Sequence, residues 1–234
     1  MSDSSAVSLP QHIGFILDGN RRWAEAQGLP KLEGHRRGYD NLKTIVRYAH
    51  KLGVKYVSAY IFSTENWQRA QDEVTYLMDL ALKMATRDVA ELHKDNIRVR
   101  FLGRRDKISA KLLKAIEAAE TKTKDNTGGT LALCFNYGGQ QEIIDVAKHL
   151  VEAGIKSAAI TLESFAQQLY APDLPPLDLV VRTSGEQRLS NFMLWQAAYA
   201  ELYFTTTHWP AFTTSDLDLA LDDYAGRQRR FGAN

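Results

Sequence analysis

Apolar positions recur along this chain in two alternating rhythms. Short runs rich in β-branched and aromatic residues read as buried strands: the run 13–17, then KYVSAYIF, IRVRFLG, TLALCFNYGG and LDLVVR. Between them the spacing changes to that of helices. Leu42, Ile45, Val46, Ala49 and Leu52 share one helical face, and Gly53 closes it. Residues 72–95 carry Val74, Leu77, Met78, Leu80, Ala81, Met84 and Leu92, and residues 106–123 carry Ile108, Leu112, Leu113, Ile116 and Ala119. Further helices are predicted near 141–153, over 161–169 with Thr161 as cap, and from about Ser215 to Arg230. A last short strand falls around 202–204. Alternation of this kind predicts an α/β fold: one domain with a mostly parallel central sheet and helices on both faces.

Polar clusters close four of these strands. The first is the most concentrated. In HIGFILDGNRRW the apolar run stops at Asp18-Gly19-Asn20-Arg21-Arg22, and helix formers follow from Trp23 to Gly28. A strand, a short polar loop and a helix start bring N–H groups, a positive dipole end and two arginines to one point. A carboxylate among anion-attracting groups makes sense where a divalent cation bridges it to phosphate. The alternative is an ordinary turn with solvated arginines. The other clusters are Ser63-Thr64-Glu65-Asn66-Trp67, Asn136-Tyr137-Gly138-Gly139 and the segment that starts at Arg182. Ligands of open parallel sheets bind outside the carboxyl ends of the strands. Four clusters at matching ends therefore converge on one crevice, which favours the functional reading.

Composition narrows the classes. The 234 residues suit one large domain. A net charge of +1 supplies no field to attract nucleic acid. The single Cys134 excludes an intramolecular disulfide and a cysteine-rich zinc site. No apolar run approaches the ~20 residues that span a bilayer. The opening MSDSSAVSLPQ lacks a signal-peptide design and reads as a flexible tail over residues 1–11, and a cytoplasmic location is expected. GxGxxG, GxxxxGK[ST], HExxH and GxSxG are all absent, which disfavours a dinucleotide oxidoreductase and a P-loop NTPase.

Three further features bear on chemistry. Arg182, Arg188 and Ser190 lie in RTSGEQRLSN, and arginine forks match phosphate oxygens. Together with the Asp18 loop they suit two phosphorylated groups and a metal. His35, in GHRRG just ahead of a helix, is either a base or relay partnered by Ser63 or Asn20, or a capping or packing histidine. Glu201 interrupts an apolar stretch, AYAELYF, so it either pairs with an arginine or binds a metal. The apolar helix faces, rich in Met, Leu and Ala, are core and could also wall an apolar channel.

The stretches HIGFILDGNRRWA, GHRRGY, FSTENW, FNYGG and RTSGEQRLSNFMLWQAAYAELYFT closely resemble the cis-prenyltransferases, the undecaprenyl diphosphate synthase family. The likeness runs from about His12 to Gly232, through the tail RQRRFG. It implies a single catalytic domain over 12–234 with a hydrophobic tunnel, and a homodimer. The implied reaction condenses isopentenyl diphosphate with an allylic diphosphate such as farnesyl or geranyl diphosphate. It needs Mg²⁺, sets each new double bond in cis, and serves the lipid carrier of cell-wall glycan synthesis. By motif, Asp18 matches the metal-linked aspartate, and Glu201 a second residue associated with Mg²⁺. Gly19, Asn20, Arg21, Arg22 and Trp23 match the allylic diphosphate loop. His35, Ser63, Asn66, Trp67 and Arg69 match positions near the reacting centre, with His35 and Asn66 joining Asp18 as catalytic. Arg182, Arg188 and Ser190 match the isopentenyl diphosphate site. Two departures concern the substrates. Lys31 stands where many members place an arginine on the allylic diphosphate, and Ile61 stands in the tunnel where long-chain enzymes have a small residue. Competing classes are a non-catalytic partner subunit and a phosphate-binding regulatory module. A peripheral membrane contact for product release is compatible with the implied chemistry.

Overall fold

The computed structural model describes residues 9–227. Most of the expected N-terminal tail, up to residue 8, and the tail from residue 228 lie outside the described residues. Five consecutive buried residues, His12–Ile16, form β1. A central strand covered on both faces needs no polar side, so after His12 its residues carry no polar side chain. β2 (Tyr56–Ser63) and β5 (Leu179–Arg182) flank it. Among the described residues one six-stranded sheet adds β3 (Ile97–Leu102), β4 (Gly129–Tyr137) and β6 (Glu201–Phe204), in the order β3-β4-β2-β1-β5-β6. Every pairing is parallel. β2 pairs with β1, β3 takes the outer edge and β4 fills the place between β3 and β2, after which β5 and β6 build out from the other side of β1. The crevice is therefore expected beyond the carboxyl ends of the central strands.

The helices are α1 (Asn20–Ala26), α2 (Lys31–Leu52), α3 (Gln71–Lys83), α4 (Val89–Lys94), α5 (Ala110–Thr123), α6 (Gly139–Glu152), α7 (Leu162–Ala166) and α8 (Thr214–Ala225). Gly53 ends α2 in the left-handed conformation, as its position in the sequence implies. Thr161 caps α7 in a box with Ser164. Several boundaries differ from the reading of the sequence. The stretch 72–95 is interrupted by a π turn, Met84–Asp88, which sets Asp88 against Tyr39 OH at 2.6 Å and Lys43 Nζ at 2.8 Å. α5 starts at Ala110 rather than 106, because Lys107 is left-handed and Ser109 is the cap. α8 ends at Ala225, short of the expected Arg230.

Side-chain alternation divides the core. Leu131, Leu133 and Phe135 of β4 join the cluster that includes Ile45, Met84 and Leu112. Ala132 and Cys134 join a second cluster with Val180 and Phe192, and Tyr137 joins it out of step, after left-handed Asn136 (φ 50°) has broken the alternation. The period of two along one buried strand thus feeds both layers.

His12 is fully buried at the base of β1. Its Nδ1–H donates to Pro175 O at 2.8 Å, so Nε2 accepts from the Ser58 hydroxyl at 2.8 Å. Burial pulls its pKa down to about 4. The folded state therefore favours the neutral ring, whereas the unfolded ring protonates near 6.5. Between those values the unfolded chain binds more protons, and stability falls as pH falls. His12 alone should contribute on the order of 3 kcal/mol of stability at neutral pH, with roughly 2 kcal/mol already lost by pH 5. Burial lowers His35 and His50 in the same direction. Chemical denaturation at pH 7 and pH 5 tests this, and an unchanged unfolding free energy would contradict it.

Candidate active site

The chain leaves β1 through Leu17 and turns at Asp18-Gly19. Gly19 has φ +99°, and a Cβ there would lie 2.6 Å from Ser184 Oγ and 2.7 Å from His208 Nδ1. Both the backbone and the space demand glycine. α1 then begins at Asn20, earlier than the sequence suggested, so Arg21 and Arg22 lie in its first turn. Asp18 Oδ1 accepts from Gly19 N at 2.7 Å and from Arg22 Nη2 at 3.1 Å, and Oδ2 accepts from Arg182 Nη2 at 2.8 Å. Partial burial works to raise the Asp18 pKa, but the Arg182 and Arg22 guanidiniums outweigh it and hold the carboxyl below its ordinary value. Asp18 is thus a carboxylate at neutral pH.

Arg182 is the last residue of β5, in register with Ile16 of β1. It is only 3% exposed. Its Nη1 donates to Ser190 Oγ at 2.8 Å and to Arg188 O. Thr183 Oγ1 adds a bond to Asp18 O at 2.7 Å. The two loops are therefore one hydrogen-bonded unit. Arg188 differs: its side chain is 58% exposed and pairs with Glu186.

α2 packs tightly on the start of α1. A Cβ at Gly34 would lie 2.0 Å from Asn20 O, and one at Gly38 would lie 2.2 Å from Asn20 Oδ1. The glycines of GHRRG are required by this approach. His35 is inside α2, not ahead of it, and its partner is neither Ser63 nor Asn20. Its Nε2 lies 2.9 Å from Glu73 Oε1. Glu73 is buried and also accepts from Arg69 Nη1 at 2.9 Å, with Arg21 Nη1 at 3.6 Å. One carboxylate thus orients an imidazole and two guanidiniums. Burial lowers the His35 pKa although Glu73 pulls the other way, so the ring is neutral at pH 7. Glu73 was missed in the sequence, where its one signal is the i,i+4 spacing from Arg69.

Two cavities meet here. The first, about 450 Å³, has a polar mouth of Asp18, Asn20, Arg21, Arg22, Lys31, His35 and Arg69. Its interior is apolar, with Leu42, Ile61, Leu77, Leu80, Ala81, Met84, Leu133 and Phe135. The second, about 730 Å³, is lined by Ser63, Glu65, Arg182, Ser190 and Asn191 among others. Asp18, Asn66 and Arg69 line both. Two residues apart on a regular strand, Ile61 and Ser63 would share a face, but β2 slips against β4 between Tyr60 and Ser63. Ile61 reaches the apolar cavity and Ser63 the second one. Trp23, Trp67 and Arg188 line neither. Trp67 Nε1 instead donates to Asn136 Oδ1 at 2.8 Å.

Glu201 is ion-paired: its Oε2 lies 2.8 Å from Arg227 Nη1. It starts β6, at the level of Leu179 and Ile13. Asp18 lies further along the sheet by roughly 16 Å at the usual rise per residue. One chain therefore cannot bring Asp18 and Glu201 to the same ion. Among the described residues no three His, Cys, Asp or Glu side chains form a metal cage. A lone carboxylate beside an arginine-lined anion site still fits Mg²⁺, which takes one or two carboxylates and completes its shell with substrate phosphates and water.

The chain is similar to known proteins over nearly its whole length. A family model described as putative undecaprenyl diphosphate synthase matches residues 16–232. The isoprenyl transferase of Thermotoga maritima is 47% identical over 228 residues, covering 97% of this chain and 98% of that protein. That of Neisseria gonorrhoeae is 45% identical, over 97% of this chain and 90% of its own. Lavandulyl diphosphate synthase from Lavandula x intermedia, solved with dimethylallyl diphosphate, superposes with a TM-score of 0.91 at 36% identity, over 96% and 98% of the two chains. A probable undecaprenyl diphosphate synthase from Campylobacter jejuni gives 0.79 at 29% identity, over 96% and 99%. With the match extending over nearly the whole chain, the protein belongs to the undecaprenyl diphosphate synthase family of isoprenyl transferases.

Proposed function

We propose that this enzyme condenses isopentenyl diphosphate with an allylic diphosphate to give a Z-prenyl diphosphate. One observation carries the reading: an apolar cavity with a cationic mouth adjoins a second, arginine-lined cavity, and Asp18, Asn66 and Arg69 belong to both. The allylic hydrocarbon occupies the apolar cavity, and its diphosphate meets Arg21, Arg22, Lys31 and Arg69 at the mouth. Isopentenyl diphosphate takes the Arg182 and Ser190 side, with Arg188 closing from outside. Holding the alkene beside the allylic carbon supplies the positioning. Asp18 would hold Mg²⁺, which supplies neutralisation of the departing diphosphate. His35, neutral and held by Glu73, offers an uncharged wall beside the reacting carbons.

The proposal extends to a homodimer. β6 is an edge strand, and Leu202 on it and Tyr199 before it are exposed, a surface that association would cover. Among the described residues no helix is long and apolar enough to cross a membrane. Peripheral contact from the cytoplasmic side, and supply of a cell-wall lipid carrier, complete the proposal. The test is purified protein alone with labelled isopentenyl diphosphate, Mg²⁺ and starters of different length. Chain extension that stops on chelation is expected; no incorporation with any starter would return the protein to the partner-subunit class.

Ile61 should limit product length. It projects a branched side chain into the apolar cavity, where a growing chain would need the volume, and packed interiors resist added methylenes by ~1–3 kcal/mol. Ile61→Ala, assayed with farnesyl diphosphate and excess isopentenyl diphosphate, is expected to shift products to longer chains. An unchanged distribution would place the limit at another residue.

A further inference from the structure

The glycines of FNYGG and the side chain of Asn191, which lines the second cavity, have no role in the assignments above, yet the structure joins them. Asn191 O accepts from Gly139 N at 2.7 Å, and Asn191 Oδ1 accepts from Gln140 N at 2.8 Å. These N–H groups open α6, where a helix cannot satisfy them itself, and Gly138 at the cap position has no side chain to do so. Asn191 therefore caps α6 from a distant segment. Its Nδ2 also donates to Glu65 Oε1 at 3.0 Å, in the turn after β2. Three strand ends, those of β2, β4 and β5, meet at this one side chain.

The glycines of FNYGG make room for it. A Cβ at Gly138 would lie 2.8 Å from Asn191 Nδ2 and 2.8 Å from Thr64 Oγ1, and one at Gly139 would lie 2.8 Å from Leu194 Cγ. Gly138 has φ −155°, open to any residue, so closeness alone excludes a side chain. The tether holds a costly backbone. Ser190, Asn191 and Met193 have φ of 48°, 67° and 39°, left-handed values that L-residues other than Asn seldom adopt. Ser190, in this turn, accepts from the buried Arg182 guanidinium at 2.8 Å.

We propose that Asn191 is a positioning residue: by capping α6 and binding Glu65 it fixes the turn that presents Ser190 and Arg182 to the second diphosphate. The identity of that diphosphate rests on the function proposed above. Asn191→Gly is the cleanest test, because glycine keeps the left-handed backbone and the bond to Gly139 N while deleting both side-chain bonds. The KM for isopentenyl diphosphate should rise about tenfold, the equivalent of roughly one net hydrogen bond, with kcat and the starter KM within about twofold. Gly138→Ala should produce the same selective defect by pushing the side chain from the other side, and keeps the test open if Asn191→Gly fails to fold. The double variant should be no worse than the worse single one, since both break one tether. Arg182→Ala, measured in parallel, reports which substrate the loop serves. If it raised the starter KM instead, the assignment of the two cavities would fall, and Asn191→Gly would then have to raise the starter KM for the positioning role to stand. A defect in a substrate other than the one Arg182→Ala affects, or an equal loss in both KM values and kcat, would overturn the proposal.

Discussion

Asp18→Ala should leave a folded chain with well under a tenth of the parental turnover at saturating Mg²⁺. Asp18 is the carboxylate common to both cavities, and it accepts bonds from Gly19 N, Arg22 and Arg182. Its loss removes the group proposed to hold the metal and also frees two guanidiniums from their set directions. A loss of at least about a hundredfold is expected, near 2.7 kcal/mol of barrier, comparable to deleting one preorganised electrostatic contact. Alanine also leaves buried Arg182 without its carboxylate, and an unpaired buried charge costs stability. Asp18→Asn separates the effects. It keeps the shape and one acceptor oxygen but removes the charge, so it should be more stable than the alanine variant yet almost as inactive. Circular dichroism and steady-state rates on both variants provide the check. An asparagine enzyme retaining more than a tenth of the rate would remove the metal role.

Arg182→Ala should raise the KM for isopentenyl diphosphate by roughly a hundredfold, and Arg188→Ala by no more than about tenfold. By sequence the two arginines look equivalent. By structure they are not: Arg182 is buried and spans Asp18, Ser190 and the Arg188 carbonyl, whereas Arg188 reaches into solvent and pairs with Glu186. Charge-assisted bonds contribute more where water is excluded, and exposed pairs contribute little. Arg182→Lys should rescue only in part, because an ammonium cannot reproduce a fork that contacts three acceptors. A larger defect in Arg188→Ala than in Arg182→Ala would reverse this ranking.

Much of this arrangement is legible along the chain because it is local. The apolar run into Asp18-Gly19, the helical face closed by Gly53 and the cap at Thr161 are each set by neighbours a few residues apart. The parallel sheet follows from their alternation. What escaped depends on distant partners. His35 meets Glu73 from 38 residues away, and Glu201 of β6 meets Arg227 just past the end of α8. The slip in β2 that sends Ile61 and Ser63 to different cavities arises from pairing with β4 and leaves no mark in KYVSAYIF. The π turn at Met84–Asp88 interrupts a stretch with no glycine or proline to announce it. Side-chain identity marked the crevice, but the tertiary contacts decide which wall each residue lines.

On the proposed function, one crevice holds two diphosphates at once, side by side. Calorimetric titration tests it most directly. Isopentenyl diphosphate is titrated into protein saturated with Mg²⁺ and a non-reactive thiodiphosphate analogue of the allylic substrate. One further site per chain is expected, lost in Arg182→Ala. Competition between the two ligands, with no binding of isopentenyl diphosphate once the analogue is bound, would contradict it.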